Sequence, residues 1–195
     1  MHKENNSVIR MDEAQKPQHT PKHDQSTAFQ IAAAAIFAAL VAVATLLFVI
    51  PIPATSGYFN LGETLIYIAA LLLGPLVGAA AGAGAAIADA LVAAQFAPGT
   101  LTIKAIEGFI VGELMRKIYR KTKSIALSAT IAVTVGGLEM VFGYFLYETL
   151  VLGYPLALVL VEVPFNFVQM LIGLIIAVPV MIAVLKVFPQ LKSYL

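Results

Sequence analysis

Residues 58–75, YFNLGETLIYIAALLLGP, hold the ambiguity on which the helix count depends. An aromatic-polar lead-in, Tyr58-Phe59-Asn60, runs into Gly62 and Glu63, and the apolar run behind them stops at Gly74-Pro75. A bilayer crossing usually takes about 20 residues, so the run 61–73 is short for one. Gly74-Pro75 reads either as a tight turn or as a kink. The turn is preferred, because one continuous helix over 61–94 would be too long for a single crossing. A carboxylate and an asparagine then stand at the mouth of a segment otherwise suited to lipid.

The rest of the chain has the same character. Of its 195 residues 60% are hydrophobic and 12% charged, and its mean hydropathy is +0.90. A soluble domain carries about twice that charge, so the composition points to an integral membrane protein of one domain. There is no cysteine, which excludes disulfides, thiolate metal sites and cysteine nucleophiles. The three histidines, His2, His19 and His23, all lie in the polar N-terminal stretch, so the apolar part has no imidazole base or ligand.

Residues 1–27 lack apolar periodicity and read as a disordered tail without a secretory-signal pattern. An Asn5-Asn6-Ser7 triplet within them fits a glycosylation acceptor only by a common coincidence. Apolar segments follow at about 29–50, 61–73, 75–94, 101–118, 125–151 and 155–187. The expectation is an all-α integral membrane protein with six transmembrane helices over 28–188 and a short C-terminal tail, 189–195. No stretch shows the alternation of a membrane β-barrel strand.

Basic residues set the orientation. Lys3, Arg10, Lys16 and Lys22 precede the first segment, Arg116, Lys117, Arg120, Lys121 and Lys123 follow the fourth, and Lys186 and Lys192 close the chain. With six crossings these regions share one side, and the opposite loops (51–60, 95–100 and 152–154) have no basic residue. Eleven of the twelve Lys and Arg residues therefore agree with cytoplasmic N and C termini. A nucleic-acid role for the basic loop is far weaker in so apolar a chain.

Lys104 is the exception, and it sits among other polar residues that are costly in a bilayer and so are functional candidates. The orientation puts Glu63, Asp89, Lys104, Glu107, Glu139, Glu148 and Glu162 in the outer half, with Asn166 and Gln169 continuing the Glu162 face at i+4 and i+7. Six carboxylates and one lysine suggest a cavity open to the outside. Simpler roles compete: Lys104 and Glu107 are spaced to neutralise each other, and Glu63 in a first helical turn gains about 0.3–1 kcal/mol from the helix dipole. The stripe could be interhelical glue, and Tyr144 and Tyr147 suit an interfacial anchor or a cavity wall equally.

Small residues add a packing signal. Gly74, Gly78 and Gly82 repeat at i+4 and let another helix approach. The first segment holds overlapping pairs, Ala34/Ala38 and Ala35/Ala39, that offer a flat face to a neighbour inside or outside the bundle. No P-loop motif is present, so ATP binding of that kind is excluded. GAGAAIAD, a loose match to a dinucleotide fingerprint, follows no strand and is set aside.

The segments GYFNLGETLIYIAALLLGPLVGAAAG, LTIKAIEGFIVG and VEVPFNFVQMLIG resemble the S components of energy-coupling factor (ECF) transporters over roughly 28–188, in the branch of riboflavin and hydroxymethylpyrimidine carriers. The resemblance implies a prokaryotic plasma-membrane subunit that is not an enzyme. It would bind a small heterocyclic vitamin or precursor from outside, and a membrane coupling subunit with two ATPase subunits would supply the energy. It implies that an A-x-x-x-A motif in the first helix meets the coupling subunit, best matched by Ala35 and Ala39, with Ala34/Ala38 as the overlapping register. It also implies that the loop between helices 1 and 2 closes over the site. The expected substrate-binding set is Tyr58, Asn60, Asp89, Lys104, Glu107, Glu139, Tyr147, Glu162, Asn166 and Gln169, with no catalytic residue, cofactor or metal. The carboxylate excess favours a ligand rich in N–H donors or partial positive charge. The alternative class is an ion-coupled secondary transporter using the buried carboxylates as relays, although no internal repeat supports it.

Overall fold

The computed structural model describes residues 22–52, 55 and 57–195. The tail residues 1–21, with His2, His19, the Asn5 triplet and three of the basic residues, lie outside the described residues, as does Pro53. Among the described residues there are six α-helices: α1 (Lys22–Leu47), α2 (Gly62–Leu73), α3 (Pro75–Val92), α4 (Ala97–Thr122), α5 (Ile125–Leu146) and α6 (Leu156–Val187). A π-helical turn, Tyr147–Val151, prolongs α5, and a 3-10 segment, Pro189–Tyr194, follows α6. One departure from an all-α chain is a small antiparallel hairpin between α1 and α2, β1 (Ile50–Pro51) with β2 (Tyr58–Phe59), in the register Ile50 opposite Phe59.

The Gly74-Pro75 ambiguity resolves as a turn. Gly74 takes φ +92°, a left-handed conformation that suits glycine, and its N–H caps α2 on the Ala70 carbonyl. Pro75 then opens α3, where its missing N–H costs nothing. The helix boundaries differ from expectation chiefly at the ends. The polar positions 22–27 belong to α1 rather than to a tail, because helical hydrogen bonding does not require apolar side chains. α4 begins earlier, with Pro98 tolerated in its first turn, and runs through the basic stretch to Lys123, whose φ of 56° ends it. The C-terminal segment is no free tail: Arg116 donates from Nε to the Tyr194 carbonyl at 2.8 Å, and the Tyr194 ring lies 5.9 Å from that of Phe29.

Among the described residues four helices are long and apolar enough to cross a membrane: Thr27–Leu47, Pro75–Val92, Ile125–Val151 and Leu156–Val187. α2, at 12 residues, spans about 18 Å, well short of a hydrocarbon layer of about 30 Å. It is the core of the bundle, with Ile66, Tyr67, Ala69, Ala70 and Leu71 fully buried. α4 fails on charge rather than length.

Packing follows the small residues. A Cβ on Gly78 would collide with the Gly108 carbonyl, one on Gly108 with that of Gly78, and one on Gly82 with that of Lys104. α3 and α4 are thereby zipped antiparallel, the contact expected of small-residue repeats where lipid offers no hydrophobic drive between helices. On its other side α3 meets α1, with Gly84 against the Ala38 backbone. Apolar side chains, among them Leu71, Val77, Met115, Met181 and Leu185, fill the bundle at the end away from the hairpin. The hairpin end is where the polar groups gather.

Candidate functional site

The start of α2, the end of α3, the start of α4, the end of α5 and the start of α6 converge beneath the β1–β2 hairpin. Between them lies a cavity of ≈ 40 Å³, room for about three waters. Tyr58 and Asn60 line it from the hairpin, Asp89 from α3 and Lys104 from α4. Glu162, Asn166 and Gln169, on one face of α6 as their i, i+4, i+7 spacing indicated, line it from that helix.

The other three expected residues stand elsewhere. Glu107 is buried behind the wall, 3.4 Å from the Lys104 ammonium, and its Oε1 accepts the Tyr67 hydroxyl at 2.9 Å. Glu139 does not line the cavity, and its Oε2 is buried without a hydrogen-bond partner. Tyr147 turns away: its ring packs where Gly99 leaves room, and its hydroxyl donates to the Gln95 carbonyl at 2.8 Å. There it borders a second hollow of ≈ 310 Å³, walled mostly by apolar side chains such as Ile103, Leu146 and Leu150. That hollow is larger but lacks the convergent polar groups of a specific binding site. The cavity instead takes Tyr144, one turn earlier.

Lys104 and Glu107 do pair, but Glu63 completes a triad. The Lys104 ammonium contacts the Glu63 carboxylate directly, and all three side chains are at most 4% exposed. Gln169 ties this triad to the hairpin: its Nε2 donates to Glu63 at 3.0 Å, while its Oε1 accepts the Asn60 N–H at 3.2 Å. Lys104 also lies 5.6 Å from the centroid of the Tyr144 ring, a favourable cation–π distance. One ammonium thus serves two carboxylates.

The hairpin is latched from below. The Tyr58 hydroxyl donates to Asp89, whose other oxygen accepts from Thr100. Burial, and after it the Asp89 carboxylate, pushes the Tyr58 hydroxyl above the usual tyrosine range, so it remains a neutral donor. The Thr55 hydroxyl donates to Glu162, and Gly57 sits against the same carboxylate with no room for a Cβ. Two buried cavity-lining groups lack a hydrogen-bond partner, the Thr45 hydroxyl and Oε2 of Glu148. Among the described residues no cluster of three or more His, Cys, Asp or Glu is arranged to hold a metal.

Residue spacing alone did not nominate Thr45, Thr55, Phe96 or Thr100, because small polar and aromatic residues do not stand out in an apolar run. Glu148 carried a signal as an outer-half carboxylate but not a role. On α1, Ala35 and Ala39 are exposed, whereas Ala34 and Ala38 are partly buried, Ala38 against Gly84 of α3, so the two overlapping registers face different ways.

Two comparisons with known proteins bear on this site. The family model described as ECF-type riboflavin transporter, S component, matches residues 25–186. A Pyrococcus woesei protein, described as an uncharacterized protein in the gap 3' region, is 41% identical over 105 residues, which is 53% of this chain and 68% of that one.

Proposed function

The chain belongs to the ECF-type riboflavin transporter S-component family, making it a multi-pass membrane subunit of vitamin-binding type, and on that premise we propose that it captures a small heterocyclic vitamin or vitamin precursor from outside a prokaryotic cell. The observation that carries this reading is the polar cavity under a latched hairpin, at the end of the bundle whose loops lack basic residues. Its lining is rich in acceptors, and Tyr58, Phe96 and Tyr144 supply flat aromatic surfaces, a combination suited to a planar ring with several N–H or O–H donors. At ≈ 40 Å³ the cavity is too small for any such ring, so binding requires the hairpin to open and reclose as a lid.

In this reading the helices cross six times, with α2 and α4 sheltered by the four longer apolar helices. Both termini and the Arg116–Lys123 cluster then face the cytoplasm. The chain has no ATP-binding motif of its own, and a membrane coupling subunit with two ATPase subunits supplies the energy. The exposed Ala35/Ala39 face of α1 meets the coupling subunit, since small side chains allow close helix approach. Purification from native membranes should recover a heterocyclic vitamin and ATPase partners together. Proton-driven uptake by the isolated chain in vesicles, without ATP, would overturn the reading in favour of a secondary transporter.

A further inference from the structure

The charge inside the cavity is out of balance. Its lining contributes three carboxylates, Asp89, Glu148 and Glu162, and one ammonium, Lys104. That ammonium is already engaged by Glu63 and Glu107, two carboxylates behind the wall. Both Asp89 oxygens accept hydroxyl groups, and Glu162 accepts one from Thr55. Glu148 differs from them. It is only 1% exposed, it lines the cavity, and its Oε2 has no hydrogen-bond partner. The π-helical turn that begins at Tyr147 places it there, and such turns often mark functional sites. No basic residue occurs in the loops at this end of the bundle, so no further cationic side chain stands ready to pair with it.

A buried, unpaired carboxylate is costly unless it takes up a proton or meets an opposite charge. We propose that the ligand supplies it: the cavity takes a cationic heterocycle, with an ammonium, amidinium or quaternised ring nitrogen seated against Glu148 and Glu162 under the hairpin. This rests on the vitamin-binding reading and narrows it from planar heterocycles in general to positively charged ones. The discrimination is electrostatic. A neutral ring of the same shape offers Glu148 at most a hydrogen bond and no opposite charge, so it recovers less of the cost of burying the carboxylate.

The test is calorimetric titration of the full chain in lipid nanodiscs with three probes: thiamine, which carries a fixed thiazolium charge, pyridoxamine, an ammonium, and riboflavin, which is uncharged. At least one of the two cations should bind tenfold or more tightly than riboflavin. Glu148→Gln and Glu162→Gln, which keep shape and remove charge, should each lower that cation's affinity at least tenfold. If Glu148→Gln lowers the melting temperature enough to suggest misfolding, Glu162→Gln decides alone. Tighter binding of riboflavin, or cation binding indifferent to both substitutions, overturns the charge assignment while leaving vitamin binding in place. If none of the three binds, the charge assignment falls, and the vitamin-binding reading is decided by the ligand recovered on purification from native membranes.

Discussion

Lys104 is the one buried basic side chain among the described residues, and its partners come from two helices, Glu63 on α2 and Glu107 on its own α4. Removing it strands two carboxylates where water cannot reach them. Lys104→Met should therefore cost about 3–5 kcal/mol of stability, whereas replacing all three members with neutral isosteres should recover most of the loss. Thermal unfolding in detergent reads both, and a single substitution that leaves the melting temperature unchanged would show that the triad is not a structural ion pair. Thr55 gives a smaller effect of another kind. Thr55→Val removes one hydroxyl from the latch on Glu162, a loss of about 1 kcal/mol that corresponds to about fivefold faster ligand release. Stopped-flow release kinetics check it. At this scale spacing revealed only part of the site. Glu162 and Gln169 lie on one face because seven residues make two turns, and both line the cavity. The Lys104–Glu63 contact joins residues 41 apart in sequence, and no local pattern encodes it. Tyr144 and Tyr147 both border the end of α5, and which one faces the cavity depends on Gly99, on another helix, making room for the Tyr147 ring.

Among the elements, α1 is the most peripheral, with 17% of its apolar window buried inside the chain. Its two alanine registers separate cleanly, since Ala38 packs on Gly84 while Ala35 and Ala39 face outward. Ala38→Trp should weaken the fold itself, because bulk added at a close backbone approach costs about 1–3 kcal/mol or more. Ala35→Trp should leave folding and ligand binding intact and abolish uptake. Normal uptake by Ala35→Trp would remove the coupling role from this face. The helix boundaries in apolar runs were readable because glycine and proline punctuate them, as at Gly74-Pro75. The hairpin was not, since two residues per strand carry no periodicity and their pairing depends on the helices that bring Ile50 opposite Phe59.

For the whole molecule, the absence of cysteine makes topology directly measurable. Gly153→Cys should react with a membrane-impermeant maleimide on intact cells, and Lys121→Cys only after permeabilisation. The reverse pattern would invert the orientation, and labelling of both from outside would break the even helix count. The division of the bundle was partly legible from charge alone. Carboxylates cluster toward one end and Lys and Arg toward the other, and the structure places the cavity at the first and apolar packing at the second. What charge could not convey was closure, because the space left for a guest depends on how far Tyr58 and Thr55 are drawn down onto Asp89 and Glu162.

That closure has a kinetic consequence. If the hairpin acts as the proposed lid, a guest enters only after it has lifted, so opening precedes capture. The observed association rate should then rise with ligand concentration at first and level off at the frequency of hairpin opening. Once the latch resets, departure waits on the same motion, and tight binding takes the form of long residence rather than fast arrival.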